Sequence, residues 1–117
     1  MKALIVDDED DIGFMVSRFL KKEGIATDVS NRIKDARKQL NQKDYDLYIL
    51  DINLPDGTGF DLIPTIHEQN DPYNIVMISA HDGPEEARKL DEFQVDAFIK
   101  KPFTKNEVIQ VVQGFKS

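Results

Sequence analysis

Acidic side chains follow two short apolar runs of the sequence. Asp7 and Asp8 follow residues 3–6 (ALIV), and Asp51 follows residues 47–50 (LYIL). Three carboxylates held together in a partly dry crevice would repel one another and raise at least one pKa unless a cation were present. Oxygen ligands with no His or Cys nearby favour Mg²⁺, or Mn²⁺, over zinc. These residues therefore predict a divalent-cation site, provided that the fold brings them together.

Asp51 is also suited to nucleophilic chemistry. An aspartyl carboxylate can attack phosphorus and form an acyl phosphate when cations neutralise the phosphoryl oxygens. Ser79 ends the apolar run at residues 75–79 and offers a hydroxyl donor, and one lysine of the pair Lys100 and Lys101 offers an ammonium group. Three carboxylates, one lysine and one Mg²⁺ sum to a nearly neutral site, which a phosphoryl group could approach.

Each of these residues taken alone also has a purely structural explanation. Asp8 or Asp10 could cap the first helix, Lys101 could be a solvated lysine, and Ser79 could bond nearby backbone. Phe98, judged only by its pattern, belongs to the core. Asp51 is harder to explain in this way, because a carboxylate at the end of a buried strand needs a partner.

Two alternative motifs, a calcium-binding EF-hand loop and a dinucleotide-binding fingerprint, are excluded by residue spacing. An EF-hand loop needs oxygen ligands at its fifth and twelfth positions. Counting from Asp8 or from Asp51, apolar residues or proline stand there: Ile12, Phe19, Pro55 and Leu62. A dinucleotide fingerprint is absent too, since GTGFDL (57–62) lacks the third glycine and does not directly follow a strand.

The elements that must position these residues alternate along the chain. Continuous apolar runs predict five strands, at residues 3–6, 26–29, 47–50, 75–79 and 97–100. Amphipathic stretches of helical spacing follow each run. Buried parallel strands joined by helices predict a three-layer, doubly wound α/β sandwich with a five-stranded parallel sheet. Ligands bind such sheets beyond the carboxyl ends of the strands, which is where the candidate residues fall.

Local signals set several helix boundaries. Gly24 is expected to end the first helix, and Pro84 suits the first position of the fourth. A third helix is expected to carry Phe60, Ile63 and Ile66, although Pro64 removes a backbone donor within it. In the last helix, Thr104 and Glu107 match a capping box.

Composition and charge narrow the possible functions. The 117 residues fit one domain, taken as residues 1–117, with no cysteine and a net charge of −7 at a pI near 4.7. That charge opposes the phosphate backbone of nucleic acids and the anionic surface of a membrane, so we expect direct binding to neither. No secretory pattern is seen, and a cytoplasmic location is the expectation.

Four motifs taken together resemble a known family. The segments VDDE (6–9), LDINLPDGTG (50–59), ISA (78–80) and FIKKPF (98–103) occur in the order typical of the receiver domain of two-component response regulators. The resemblance covers essentially the whole chain, is closest in type to chemotaxis regulators, and implies a flavodoxin-like fold. The combination is far more specific than any one segment.

The resemblance implies a role for each matched residue. Asp51 is implied as the phosphoacceptor, and Asp7 and Asp8 as the acidic pair that holds Mg²⁺ with Asp51 and the backbone carbonyl of Asn53. The remaining residues implied to bind the phosphoryl group or to switch are Ser79, Lys101 and Phe98, the last standing where many members have tyrosine. The Lys101–Pro102 peptide bond is implied to be cis.

The implied activity is phosphoryl transfer from a sensor histidine kinase or a histidine phosphotransfer protein to Asp51. The domain would catalyse its own phosphorylation and dephosphorylation rather than act on a separate substrate, and it would switch a target-binding face made of helix 4, strand 5 and helix 5. It could stand alone, pass phosphate on in a relay, or be part of a longer protein. Asn53 and His81 are predicted to tune the lifetime of the phosphorylated form, with a solvent-facing loop histidine as the alternative.

Two other functions remain open from the sequence. One is a Mg²⁺-dependent hydrolase with an aspartyl nucleophile, which would need a general acid and a cap that the sequence does not reveal. The other is a receiver-like scaffold that no longer takes phosphate. Such a scaffold would be expected to lack an acidic or lysine position of the set, and here each is present.

Overall fold

Five parallel strands and five α-helices alternate in the computed structural model, which describes residues 1–70 and 72–116, with the backbone alone at Lys116. The strands are β1 (Lys2–Val6), β2 (Ala26–Ser30), β3 (Leu47–Asp51), β4 (Asn74–Ser79) and β5 (Ala97–Lys100). The helices are α1 (Asp10–Lys22), α2 (Ile33–Gln42), α3 (Ile63–Ile66), α4 (Pro84–Glu92) and α5 (Lys105–Lys116).

The five strands form one sheet in the order β2-β1-β3-β4-β5, and every neighbouring pair is parallel. Strand order reverses beside β1, so the carboxyl ends of β1 and β3 flank the crevice in which such folds bind ligands. The register aligns Val6 with Leu50, Asp51 with Ile78, and Ser79 with Lys100. The ends of four neighbouring strands therefore lie along one edge.

Alternate residues of the four strands other than β2 enter separate hydrophobic cores on the two faces of the sheet. Leu4 and Val6 pack with residues of α2 and α3, whereas Ala3 and Ile5 pack with residues of α1 and α5. This is the period of two that a strand covered on both faces requires. The expected three-layer, doubly wound sandwich is confirmed.

Helix boundaries follow the local signals except after β3. Pro84 begins α4, Gly24 lies beyond the end of α1 at φ +81°, and Thr104 and Glu107 exchange the capping-box hydrogen bonds. The third helix differs from the single amphipathic helix expected. A 3₁₀ helix (Gly59–Leu62) leads into a four-residue α3, and Pro64 lies in its first turn, where the missing N–H has no helical partner to lose.

A short antiparallel hairpin, residues 53–58, lies between β3 and the 3₁₀ helix. Asn53 pairs with Thr58 and Leu54 with Gly57. Immediately after it the chain returns so close to β3 that a Cβ on Gly59 would lie 2.3 Å from the carbonyl oxygen of Asp51. Only glycine allows that approach without moving the backbone of Asp51.

Across the described ranges, every helix is too short or too polar to cross a lipid bilayer.

Candidate phosphoacceptor and metal site

The sheet brings the predicted acidic and basic side chains together at its carboxyl edge. Asp7 follows β1, Asp51 ends β3, and Lys101 follows β5. The Lys101 Nζ atom lies 2.9 Å from Asp51 Oδ2 and 3.2 Å from Asp7 Oδ2. Residues from three separate strands therefore form one charged cluster, as the spacing predicted.

Lys101 is held between the carboxylates with only 12% of its side chain exposed. Burial alone would lower the pKa of its ammonium group, but the hydrogen bond to Asp51 and the negative charges of Asp7 and Asp51 raise the pKa above its ordinary value. Lys101 therefore stays charged. The Lys101–Pro102 peptide bond is cis, as the resemblance implied.

Asp7 is the most deeply buried carboxylate of the cluster, with 2% exposure. Burial raises its pKa to about 6; the N–H of Glu9, which donates to Oδ1 at 2.8 Å, opposes the rise, whereas the charge of Asp51 adds to it. The Oδ2 atom lies near the Lys101 ammonium but has no hydrogen-bond donor of good geometry among the described residues. An unsatisfied buried carboxylate oxygen suits a cation.

The donor set fits a hard divalent cation. One carboxylate oxygen from each of Asp7, Asp8 and Asp51 lies within 4.8 Å of the other two. Asp8 is exposed, whereas Asp7 and Asp51 are buried. Closely spaced oxygens that are partly open to solvent match Mg²⁺, which keeps several waters. The alternative role of Asp8 or Asp10 as the cap of α1 is not observed, because Glu9 occupies that position.

Two of the other predicted site residues lie in the same pocket as Asp51. Asn53 and His81 line a pocket of about 240 Å³ together with Asp8, Asp51 and Lys101. The Asn53 N–H donates to Asp51 Oδ1 at 3.1 Å. Asn53 therefore contacts the candidate nucleophile, whereas His81 lines the same pocket.

Two further predicted site residues, Ser79 and Phe98, are not among the residues that line this pocket. Ser79 is fully buried at the end of β4, and its Oγ accepts the N–H of His81 at 3.0 Å, which leaves the hydroxyl proton available for donation. Phe98 lies on β5 opposite Met77 and packs, half-buried, against the core that contains Phe60. It therefore does not touch the pocket, and any switching role must act through movement.

Glu9 is a site residue that the sequence argument missed. Its Oε1 atom lies 3.6 Å from Lys101 Nζ, and it lines the same pocket. The acidic run DDEDD (7–11) was the available signal, but a side chain three residues beyond a strand can point in several directions. Only the fold shows that Glu9 turns back toward Lys101.

Cation affinity is expected to depend on pH through Asp7. With a pKa of about 6, Asp7 is mostly ionised at pH 7, whereas only roughly one in ten is ionised at pH 5. The cation must then displace a proton, so Mg²⁺ affinity should fall about tenfold between pH 7 and pH 5. Calorimetric titration at the two pH values measures this change, and a constant Kd would contradict it.

Comparisons with known proteins agree with this geometry. Residues 3–113 match the family model described as Response regulator receiver domain. The chain is 34% identical over 101 residues to the response regulator protein PilR of Pseudomonas aeruginosa, covering 86% of this chain and 23% of that protein. It is 33% identical over 109 residues to the transcriptional regulatory protein CssR of Bacillus subtilis, covering 93% and 48%.

A comparison with solved structures agrees with these sequence matches. The chemotaxis protein CheY4 of Vibrio cholerae superposes with a TM-score of 0.88 at 25% identity, and the match covers 97% of each chain. By contrast, this chain spans half or less of the curated relatives it matches. The flavodoxin-like fold, the motif order and the sequence matches lead to one conclusion: the chain belongs to the response regulator receiver domain family of two-component signalling.

Proposed function

We propose that this domain accepts a phosphoryl group on Asp51 from a phosphohistidine of a sensor kinase or phosphotransfer protein. The observation that carries the proposal is the contact of one partly buried lysine with both Asp51 and Asp7, at 2.9 and 3.2 Å. A carboxylate oxygen of Asp51 would attack phosphorus as the bond from phosphorus to the imidazole nitrogen breaks. The electron pair of that bond stays on the imidazole.

The residues around Asp51 suit the charge that this step develops. Lys101 would move its ammonium group from Asp51 Oδ2 to a phosphoryl oxygen, and the hydroxyl of Ser79 would donate to another. Asp7, Asp8, Asp51 and the Asn53 carbonyl would hold Mg²⁺, which when bound neutralises the phosphoryl oxygens. Transfer replaces one negative charge with roughly two.

An apolar groove beside the site supports docking of the phosphodonor there. The groove has a volume of about 370 Å³, adjoins Lys101, and is lined by Glu9, Ile12, Met15, Ala80, Pro102 and Phe103. It lies between α1 and the segment after β5. A partner helix that covers it would bring its phosphohistidine to Asp51 and exclude water from the reaction.

The output face would be the surface formed by α4, β5 and α5. Every side chain of α4 is at least partly exposed, so few buried contacts oppose a shift of this helix. Movement of Ser79 toward the phosphoryl group would draw residues 80–83 inward, and Phe98 would fill the space vacated. Phosphorylation would thereby shift the population of two states of this face.

Mass spectrometry after incubation with Mg²⁺ and acetyl phosphate tests the proposed function. A switch gains one phosphoryl group per chain and keeps it for a measurable time. An aspartyl hydrolase would turn over many equivalents of donor, whereas a scaffold would stay unmodified. Either of these two results, or modification that is independent of Mg²⁺, would contradict the proposal.

His81→Ala is expected to shorten the lifetime of the phosphorylated form. The exposed residue His81 lines the same pocket as Asp51, so removal of its ring should open a path for water. We expect dephosphorylation to become about threefold faster, equivalent to ~0.7 kcal/mol of activation free energy. The loss of label from purified phosphoprotein measures the rate, with Asp82→Ala, the neighbouring exposed position, as the control. Equal rates in wild type and His81→Ala would make His81 a solvent-facing loop residue.

A further inference from the structure

The hairpin 53–58 carries the main chain of Asn53, which lies beside the nucleophile. The Asn53 N–H donates to Asp51 Oδ1, so the base of the hairpin determines what surrounds that oxygen. Each strand of the hairpin has only two residues. A pair of strands this short has little stability in water, and a contact elsewhere must fix its position.

The tip of the hairpin supplies such a contact. Asp56 accepts two backbone hydrogen bonds from the first turn of α2: Ile33 N–H donates to Oδ1 at 2.9 Å and Lys34 N–H to Oδ2 at 3.1 Å. The residue at the N-cap position, Arg32, makes no capping hydrogen bond with its side chain within the described ranges. Asp56 therefore caps α2 from a distant part of the chain.

Asp56 is suited to keep this contact at neutral pH. The hydrogen bond from Ile33 N–H, followed by that from Lys34, lowers the pKa of Asp56. An ionised carboxylate is also favoured by the positive end of the α2 dipole. The side chain thus remains a double acceptor for the helix.

Two further contacts show how closely α2 lies against this segment. A Cβ on Gly57 would lie 2.6 Å from Ile33 Cδ1, so the hairpin rests directly on the first residue of the helix. Beyond the hairpin, Arg37 of α2 donates to the carbonyl oxygen of Asp61 at 3.3 Å. The Asp56 contact is thus part of a continuous interface between α2 and the segment that follows Asp51.

We propose that Asp56 is a positioning residue for phosphoryl transfer: by capping α2 from the hairpin tip, it fixes the Asn53 main chain beside Asp51. The proposal rests on the proposed function of Asp51. Without Asp56 the hairpin would tilt, and the Asn53 carbonyl and N–H would spend less time in place. Asp51 and Lys101 would keep their own contact, so binding of Mg²⁺ and donor should weaken more than the chemical step.

The alternative is that Asp56 only stabilises α2. The variant Arg32→Ser separates the two roles, because serine at the N-cap position can cap α2 locally without touching the hairpin. Four proteins are compared with wild type: Asp56→Ala, Arg32→Ser, the double variant Arg32→Ser with Asp56→Ala, and the conservative Asp56→Asn. The Kd for Mg²⁺ is measured by calorimetry without any phosphodonor at about 10 °C, where every variant remains folded.

Phosphorylation kinetics and melting temperature complete the comparison. We expect Asp56→Ala to raise the Kd for Mg²⁺ about fivefold, to raise KM for acetyl phosphate with a smaller change in kcat, and to lower Tm by ~4 °C. The double variant should regain most of the Tm but keep the weak Kd. Arg32→Ser alone should match wild type, and Asp56→Asn, which retains one acceptor oxygen, should lie between wild type and Asp56→Ala.

Two results would overturn the proposal. One is a wild-type Kd and KM in Asp56→Ala, whatever its Tm; the other is recovery of Kd along with Tm in the double variant. Failure of the proposed function looks different, because wild type itself would then gain no phosphoryl mass. If wild type is phosphorylated and the Asp56 variants behave like it, only the inference about Asp56 is lost.

Discussion

Asp51→Asn is expected to abolish phosphorylation. The amide oxygen is a poor nucleophile toward phosphorus, so the rate with acetyl phosphate and Mg²⁺ should fall at least ~10³-fold, below the detection limit of intact-mass measurement. The substitution keeps the size of the side chain and an oxygen that can accept the Asn53 N–H. The fold should therefore survive, and loss of modification can be assigned to loss of the nucleophile.

A matched control tests whether the loss is specific to this carboxylate. Asp91→Asn removes the same charge from the exposed surface of α4, away from the cluster, and should be phosphorylated at the wild-type rate. Peptide mapping of the wild-type phosphoprotein after reductive trapping of the acyl phosphate should locate the modification at Asp51. Modification of Asp51→Asn to the wild-type level would show that another side chain is the acceptor.

Asp7→Asn is expected to make the metal-free protein more stable. The folded protein raises the pKa of Asp7 from an ordinary value of 3.8 to about 6, so at pH 7 the buried group is ionised at an energetic cost. A shift of this size corresponds to about 3 kcal/mol. That shift already includes the attraction to Lys101, so it is a net cost. Asparagine removes the cost, but its NH₂ group cannot accept a hydrogen bond as the carboxylate oxygen can, and we expect a net gain of ~2 kcal/mol in the free energy of unfolding at pH 7.

The raised pKa of Asp7 also determines how this difference in stability changes with pH. Because the folded pKa lies above the ordinary one, folded wild type takes up a proton more readily than the unfolded chain does. The contribution of Asp7 to stability should therefore rise as pH falls from about 7 to about 4, so the advantage of Asp7→Asn should shrink over the same range. Urea denaturation at several pH values, without divalent cations, measures both curves.

Mg²⁺ should reverse the order of stability. Wild type gains stability as it binds the cation, whereas Asp7→Asn should bind it at least ~100-fold more weakly and gain little. Denaturation at pH 7 with and without millimolar Mg²⁺ checks this reversal, and Asp91→Asn again serves as the control. A variant less stable than wild type without Mg²⁺ would mean that the Asp7–Lys101 ion pair outweighs the cost of burial.

Asp51→Asn tests the reactivity of the site, and Asp7→Asn tests how much the site lowers the stability of the fold. The cluster of Asp7, Asp8 and Asp51 around Lys101 places more negative than positive charge in a largely buried site, which does not favour the folded chain. An excess of negative charge in such a site is what the proposed binding of a cation and a phosphoryl group requires. The site therefore lowers the stability of the folded chain when no ligand is bound.

Much of the fold could be predicted from the sequence because its signals are local. Continuous apolar runs such as residues 47–50 can be buried on both sides only in a parallel sheet covered by helices. All five strands lie where these runs predicted them. Since parallel strands end at one edge, the meeting of Asp7, Asp51 and Lys101 also followed from the pattern.

The segment after β3 could not be predicted in the same way. Phe60, Ile63 and Ile66 suit one amphipathic helix, but spacings of three residues do not distinguish a 3₁₀ turn from an α-helical one. The observed break follows from tertiary packing: the Phe60 ring packs 5.2 Å from that of Phe93, and Gly59 lies against the Asp51 carbonyl. The hairpin and its Asp56 contact depend on α2, which is distant in sequence.

The chain itself determined which residue types stand at the ends of the strands, and so the kind of chemistry available there. It did not determine which of two adjacent aspartates would be buried. Asp7 has 2% exposure and a pKa of about 6, while Asp8 is exposed to solvent. That difference arises because burial, the main cause of the raised pKa of Asp7, depends on the groups packed around the side chain, and only the folded arrangement brings those groups together.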